Sequence, residues 1–376
     1  VTPQERAGDL DRAILDTIAD WRRGGIGCDD AGFDALALAI FAYQRETSEP
    51  YARYVASLGL SGDPVTWRDI PGVPASAFKD ATLATFDVSR AELIFHTSGT
   101  TAEMSGKHYV ERAALYDASL IAGFDRFVLA DRPNLRYLNL VPDPRIRPHS
   151  SLGYMMGNVS VLRGDGKAAY FLDDDGVDVA RFSLALGAAC REGRPACIAG
   201  TAFAFVALLE ALEAAGTTFE APPGSRIMET GGFKGRSRVV ERAELYARLE
   251  ASLGVPYASI VAEYGMTELL SQFYDAPESR ASGERVKAAP PWLRTLVLDA
   301  SGVEVPDGRT GFLRHVDLAN RSSVVAIDTE DLGYRVPASD AHAGGIVLLG
   351  READAVARGC SLDAEDLVSA RRSGSA

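Results

Sequence analysis

Cysteine is scarce. Cys28, Cys190, Cys197 and Cys360 are the four in 376 residues, with no CxxC pair and no Cys/His metal spacing among them. That scatter argues against a disulfide framework or a thiolate zinc site, and fits free thiols in a reducing compartment. Positive charge is short as well: 39 Lys and Arg stand against 52 Asp and Glu, for a net charge of −13. A general nucleic-acid binder needs a basic stripe, so this balance disfavours one, while leaving room for a local basic pocket. Long apolar runs are missing too. A membrane-spanning helix takes about 20 apolar residues, and the most apolar helical stretch, Phe203 to Ala214, is interrupted by Glu210 and Glu213. The start, Val1 to Asp16, is charged throughout and does not read as a signal peptide. The expectation is a cytoplasmic protein with no membrane span. The sequence holds no internal repeat and no low-complexity block.

What is present is ordinary for a globular chain: 47% hydrophobic and 24% charged residues. Residues 1–90 read as helical, with stripes Leu10, Ile14, Ile18, Trp21 and Phe33, Leu36, Ile40, Tyr43. Asp69-Ile70-Pro71-Gly72-Val73-Pro74 is an extended lead-in, because each proline restricts itself and its predecessor. From 91 to 285 short apolar runs alternate with helices. The runs begin at Leu93, Tyr137, Ala169, Cys197, Arg226 and Ser259, and helices are expected over Ala202 to Ala215 and Arg238 to Leu253. Such alternation predicts an α/β fold with mostly parallel strands covered by helices, and ligands beyond the strand C-terminal ends. Residues 286–337 read as a small β subdomain, with strands around Leu296, Phe312 and Val325; residues 338–376 form a short C-terminal segment.

Four segments carry chemistry. Thr97-Ser98-Gly99-Thr100-Thr101, running on to Gly106-Lys107, follows directly on a strand. Its hydroxyls, backbone N–H groups and lysine are the parts that cradle a polyphosphate. It is not a Walker A loop: six residues separate Gly99 from Gly106, and His108 stands where a Ser/Thr would hold Mg2+. The second segment is Tyr264-Gly265-Met266-Thr267-Glu268. Its ring can stack on a base, Gly265 admits close backbone approach, and Glu268 can hold Mg2+. The third is Asp328 to Gly333, in which a loop carboxylate such as Asp331 can accept ribose hydroxyls. The fourth runs from Gly350-Arg351 to Arg358-Gly359-Cys360, where Arg351 could reach a nucleotide and Cys360 could be a nucleophile. Singly, the last three read equally well as turns with packed or solvated side chains.

Together, in this order, the four resemble the adenylate-forming superfamily of acyl-CoA synthetases, adenylation domains and firefly-type luciferases. Thr97–Lys107 is similar to its phosphate loop, Tyr264–Glu268 to its YGxTE motif, Thr329–Gly333 to TGDLG with Glu330 for Gly, and Gly350–Gly359 to its hinge motif. A closer resemblance is to the acyl-protein synthetases of bacterial bioluminescence operons. Ile70–Pro74 with Phe78-Lys79, Ser105-Gly106-Lys107 and Glu229–Gly235 carry it, the last including Gly231 and Gly232.

The resemblance implies an adenylate-forming large domain with a strongly truncated C-terminal segment. The implied cofactors are ATP and Mg2+. Thr97, Ser98, Gly99, Thr100 and Thr101 would hold phosphates, and Gly231, Gly232 and Tyr264 the adenine. Gly265, Met266 and Thr267 belong to the same nucleotide site, with Asp331 on the ribose, Arg351 nearby and Glu268 on Mg2+. The late lysine of the wider superfamily is missing, which leaves Lys107 and Lys234 as candidate cations. Cys360 matches the cysteine that accepts the acyl group. A carboxylic acid is the implied substrate, fatty or otherwise hydrophobic, with Leu152, Tyr154 and Met156 as a plausible wall. The implied partner is an acyl-accepting reductase or carrier protein. Two alternatives stay open: transfer to a carrier protein, CoA or an amine without Cys360, and a non-catalytic relative that binds ATP or an acyl ligand.

Overall fold

The computed structural model describes residues 2–60, 62–97, 105–130, 134–231, 241–280, 284–339 and 344–351. The chain begins with three helices, α1 (Pro3–Arg22), α2 (Asp30–Thr47) and α3 (Glu49–Ser57). Thr2 and Glu5 close a reciprocal capping box at the start of α1, and the Asp29 side chain caps α2. The proline-rich lead-in becomes β1 (Val73–Pro74), followed by a single turn, α4 (Ala77–Asp80). Next come β2 (Leu93–His96) and β3 (Lys107–Val110). They pair with each other antiparallel, apart from the main sheet.

The α/β region follows: α5 (Ala113–Phe124), β4 (Arg136–Pro142), α6 (Ser151–Arg163), β5 (Ala169–Asp173), β6 (Gly176–Val177) and α7 (Val179–Arg191). It continues with β7 (Ala196–Thr201), α8 (Ala202–Ala214), β8 (Arg226–Thr230), α9 (Arg242–Leu253) and β9 (Ile260–Tyr264). The last strands are β10 (Phe273–Asp275), β11 (Lys287–Ala288), β12 (Leu293–Leu298), β13 (Gly311–Asp317), β14 (Ala326–Val336) and β15 (Gly345–Arg351). No helix among the described residues is long and apolar enough to cross a membrane.

One sheet runs β12-β13-β14-β15-β11-β10-β9-β8-β7-β4-β5-β6, with β1 beside β14. From β5 through β4, β7 and β8 to β9 every pairing is parallel. From β9 through β10, β11, β15, β14 and β13 to β12 every pairing is antiparallel. The strands of the 286–337 segment therefore continue the sheet of the α/β region. The parallel strands are buried on both faces, which is why they read as unbroken apolar runs. Alternate residues serve opposite cores: Leu138, Ile198, Ile227 and Ile260 pack with α7, α8 and α9, while Tyr137, Cys197, Met228 and Val261 pack with α5, α6 and the N-terminal helices.

The change of strand direction at β9 is fixed by a buried ion cluster. Asp275 is wholly buried and accepts hydrogen bonds from Arg285 Nη1 (2.7 Å), Lys287 Nζ (2.7 Å) and the Ala262 backbone N–H (2.8 Å). Lys287 Nζ also donates to the Ala262 carbonyl at 2.8 Å, and Arg285 to that of Ile260 at 2.6 Å. Burial alone would raise the Asp275 pKa, but Lys287 and Arg285 outweigh it and hold the carboxyl below its ordinary value. Asp275→Ala strands two buried cations. The expected cost is about 3–5 kcal/mol, read from urea unfolding; a loss below about 1 kcal/mol contradicts this role.

Candidate active site

A cavity of about 250 Å³ opens beyond the C-terminal ends of β8 and β9. Thr230 and Glu263 floor it, and the loop Gly265–Glu268 forms one wall. Asp328, Thr329 and Glu330 of β14 form a second wall, facing Leu152 and Met155 of α6. Thr97, Tyr116, Ser76 and Lys79 complete the rim. Thr97 is held against Gly106: its backbone N–H donates to the Gly106 carbonyl (2.9 Å), and its Oγ1 accepts from the Gly106 N–H (2.8 Å). A Cβ on Gly106 would lie 2.8 Å from the Phe78 backbone, so this approach needs glycine.

Tyr264 ends β9 and reaches across the sheet. Its O–H donates to Asp331 Oδ2 at 2.8 Å, and its oxygen lies 3.0 Å from His315 Nε2. The hydroxyl has one proton and gives it to the carboxylate, so His315 Nε2–H is the donor to Tyr264. His315 Nδ1 then accepts from the Thr295 hydroxyl at 2.9 Å. Burial keeps this imidazole neutral and pushes its pKa down to about 4, against a smaller opposing pull from Asp331. The chain Thr295–His315–Tyr264–Asp331 thus aims the Asp331 carboxylate with groups from β12, β13, β9 and β14.

The loop after β9 is anchored from behind. His108, wholly buried, donates from Nδ1 to the Thr267 carbonyl at 2.8 Å. Burial pushes its pKa down to about 4, although that hydrogen bond works the other way. Asp317 accepts from the Ser271 hydroxyl (2.7 Å) and the Leu270 N–H (3.0 Å), and burial pushes its pKa up to about 6. Asn320 Nδ2 donates to the Glu268 carbonyl at 2.8 Å. Two segments distant in the chain, one with His108 and one with Asp317 and Asn320, hold Glu268 at the cavity, where it is only 9% exposed.

A sequence profile of the acyl-protein synthetases, LuxE, matches residues 31–368. The chain belongs to the LuxE acyl-protein synthetase family. This LuxE-family protein is an enzyme of the ligase type, with the fold of the adenylate-forming enzymes. It is 22% identical over 347 residues to the long-chain-fatty-acid–luciferin-component ligase of Vibrio harveyi, covering 90% of this chain and 89% of that one. Among solved structures it resembles 2-hydroxyisobutyryl-CoA ligase in an open conformation with 2-HIB-AMP and CoA. That likeness has a TM-score of 0.65 at 15% identity, over 86% of this chain and 71% of the other. The same ligase in its thioesterification state gives 0.63 at 16% identity, over 86% and 68%.

In this LuxE-family chain, Thr97, Gly265, Met266, Thr267, Glu268 and Leu152 all line one cavity. Tyr264 and Asp331 meet at its edge. Arg351 closes β15 directly opposite Asp331. Gly231 follows β8 with φ +78°, a backbone conformation that favours glycine. Lys107 is exposed at the start of β3, paired with His96, and is not in the cavity wall. Lys79 is, although the sequence points to it only through the family resemblance. The expected acyl wall of Leu152, Tyr154 and Met156 follows alternate residues, but the segment is helical. Leu152 and Met155 therefore share the cavity face; Met156 is buried in the core, and Tyr154 hydrogen-bonds Asp117 at 2.9 Å. Ser98, Gly99, Thr100, Thr101, Gly232, Lys234 and Cys360 lie outside the described residues.

The two buried imidazoles set a pH dependence. Folded, both stay neutral down to about 4; unfolded, they take up protons near pH 6.5. Their stabilising contribution is complete above about pH 6.5 and is lost as pH falls to about 4. Asp317 acts in the opposite sense: its contribution is full below the ordinary carboxylate pKa and is lost as pH rises through about 6. A His108→Gln/His315→Gln double variant is expected to lose less of its urea stability between pH 7 and pH 4.5 than the parent does. An unchanged pH dependence contradicts the assignment.

Proposed function

We propose that this enzyme activates a carboxylic acid with ATP as acyl-AMP, releasing pyrophosphate, and then passes the acyl group to a thiol. The observation that carries the reading is the convergence of Thr97, Gly265–Glu268 and Asp328–Glu330 on one cavity beside the Tyr264–Asp331 pair. A carboxylate is too poor an electrophile to yield a thioester directly. Its oxygen attacks the α-phosphorus of ATP, the bond to pyrophosphate breaks, and a mixed anhydride results. The protein's task is positioning and charge neutralisation.

The Thr97 loop holds the phosphates. Tyr264 and the Gly231-Gly232 stretch hold the adenine, and Asp331 accepts from the ribose hydroxyls. Lys79, in the cavity wall, is a cation on hand for the phosphates, beside Lys107 and Lys234, the two candidates that the sequence offers. Glu268 fits a hard, oxygen-seeking cation, being a carboxylate at the cavity wall. Mg2+ bound there supplies charge neutralisation to phosphate oxygens.

In the second step a thiolate attacks the acyl carbonyl and AMP leaves. Cys360 is the thiol assigned to this step. Arg358, two residues away, favours the thiolate. The other cysteines are poor nucleophiles: burial pushes the Cys197 thiol up to about 12 and raises those of Cys28 and Cys190. The acyl group then passes to a partner, a reductase or a carrier protein. The relative from Vibrio harveyi supports a fatty or other hydrophobic acid.

Acid-dependent ATP–pyrophosphate exchange tests the first step. Asp331→Asn weakens hydrogen bonds to a charged group, about 1.5–3 kcal/mol. The ATP KM should therefore rise roughly ten- to a hundredfold, with a smaller change in kcat. Cys360→Ser is expected to keep exchange and lose the covalent acyl adduct seen by intact mass with acid and ATP. An adduct that persists in Cys360→Ser sinks the assignment of that cysteine, and no exchange with any acid sinks the reading as a whole.

A further inference from the structure

The one-turn helix α4 is held to three parts of the site at once. Ahead of it, β1 runs beside β14 with Pro74 opposite Asp328, and the Ala75 N–H donates to the Asp328 carbonyl at 3.0 Å. On the turn itself, Gly106 approaches so closely that a Cβ there would lie 2.8 Å from the Phe78 carbonyl and 3.0 Å from the Lys79 backbone nitrogen. Gly106 is the residue bonded twice to Thr97. Behind it, the Phe78 ring meets the His108 ring edge-on, with 5.5 Å between centroids, and His108 donates to the Thr267 carbonyl. The backbone of α4 therefore cannot shift without disturbing β14, the Thr97 segment or the loop after β9.

From that fixed backbone Lys79 enters the cavity wall. Glu263, Glu268, Asp328 and Glu330 line the same cavity, and the Arg314 guanidinium pairs with Asp328. Lys79 is the one lysine or arginine among the described lining residues. A carboxylate substrate and a polyphosphate repel each other and repel this acidic wall, so positive charge is needed where they meet.

The covalent order of ATP says which group Lys79 meets. The α-phosphate lies between the ribose and the β- and γ-phosphates. The ribose is assigned to Asp331 of β14, and the outer phosphates to the Thr97 segment. Helix α4 is tied to β14 on one side and packed on Gly106 on the other, so Lys79 stands between the two assignments.

Resting on the acid-activating reading above, we infer that Lys79 is a catalytic residue of adenylate formation, acting at the α-phosphate. A carboxylate oxygen attacks the α-phosphorus, the bond from phosphorus to the β-phosphate oxygen breaks, and pyrophosphate leaves with the electron pair. The Lys79 ammonium keeps its protons throughout. It donates to the incoming carboxylate oxygen and to a non-bridging α-phosphate oxygen, where charge gathers in the transition state.

The test is acid-dependent ATP–pyrophosphate exchange by the full chain carrying Lys79→Met. Its kcat is expected to fall about 100- to 1,000-fold, the cost of removing one positioned donor. The ATP KM should stay within about threefold, because the contact is made in the transition state. The urea midpoint should not move, because Lys79 is exposed. Lys79→Gln repeats the measurement if Lys79→Met fails to fold. A kcat within about threefold of the parent overturns the inference and leaves acid activation standing. So does a raised ATP KM with kcat kept, the mark of a group that only binds the phosphate tail. A parent that exchanges with no acid of any class overturns both.

Discussion

The hydrogen bond from Tyr264 to Asp331 joins the two halves of the sheet at the point where the site forms. Tyr264 is the last residue of the final parallel strand, and Asp331 lies in the middle of an antiparallel strand four positions further along the sheet. Neither side chain could be aimed by its own strand alone. His315 and Thr295 complete the chain by fixing one tautomer. Because burial forbids the imidazolium, the direction of every proton in the chain follows from the carboxylate at its end. The site therefore inherits its geometry from a buried, neutral histidine.

The same logic runs behind the loop Gly265–Glu268. It is short, leaves a buried strand and must present a carboxylate to a cavity. Its backbone is held by His108, Asp317 and Asn320, and the ion cluster around Asp275 holds the strand that delivers it. Charged and polar groups at the core of this sheet serve positioning. They sit where parallel pairing gives way to antiparallel pairing, which is also where a crevice opens beyond the strand ends.

Much of this architecture was legible in the sequence, for definable reasons. The parallel strands are covered on both faces, so their apolar runs stand out without any alternation. Helix α8 announces itself by length and by the Thr201 cap. Other elements were obscured by composition. Residues 151–163 carry Gly153 and Gly157, which dilute the helical pattern, so the segment read as a wall of alternate residues. Thr329–Gly333 is rich in turn-formers, yet β15 pairs with it and makes it strand. The antiparallel strands read as a separate unit because nothing local shows that β10 and β11 join them to β9.

The anchoring residues were the least legible. His315 meets Tyr264 across 51 positions of sequence and Asp317 meets Leu270 across 47. No local period or spacing encodes such a pairing; it exists only once the sheet has closed. Glu263 and Gln272 were hidden for a related reason. One precedes a recognisable motif and the other follows it, and only the pairing of β9 with β10 brings both to the wall of one cavity.

The central claim is that these segments enclose one adenylate. It is tested most directly by a crystal structure of the protein with a non-hydrolysable acyl-adenylate analogue. The account predicts the analogue in the cavity between Gly265–Glu268 and Asp328–Asp331, with its ribose hydroxyls within hydrogen-bond distance of Asp331. Density for the analogue elsewhere on the protein, or a ribose turned away from Asp331, would contradict it.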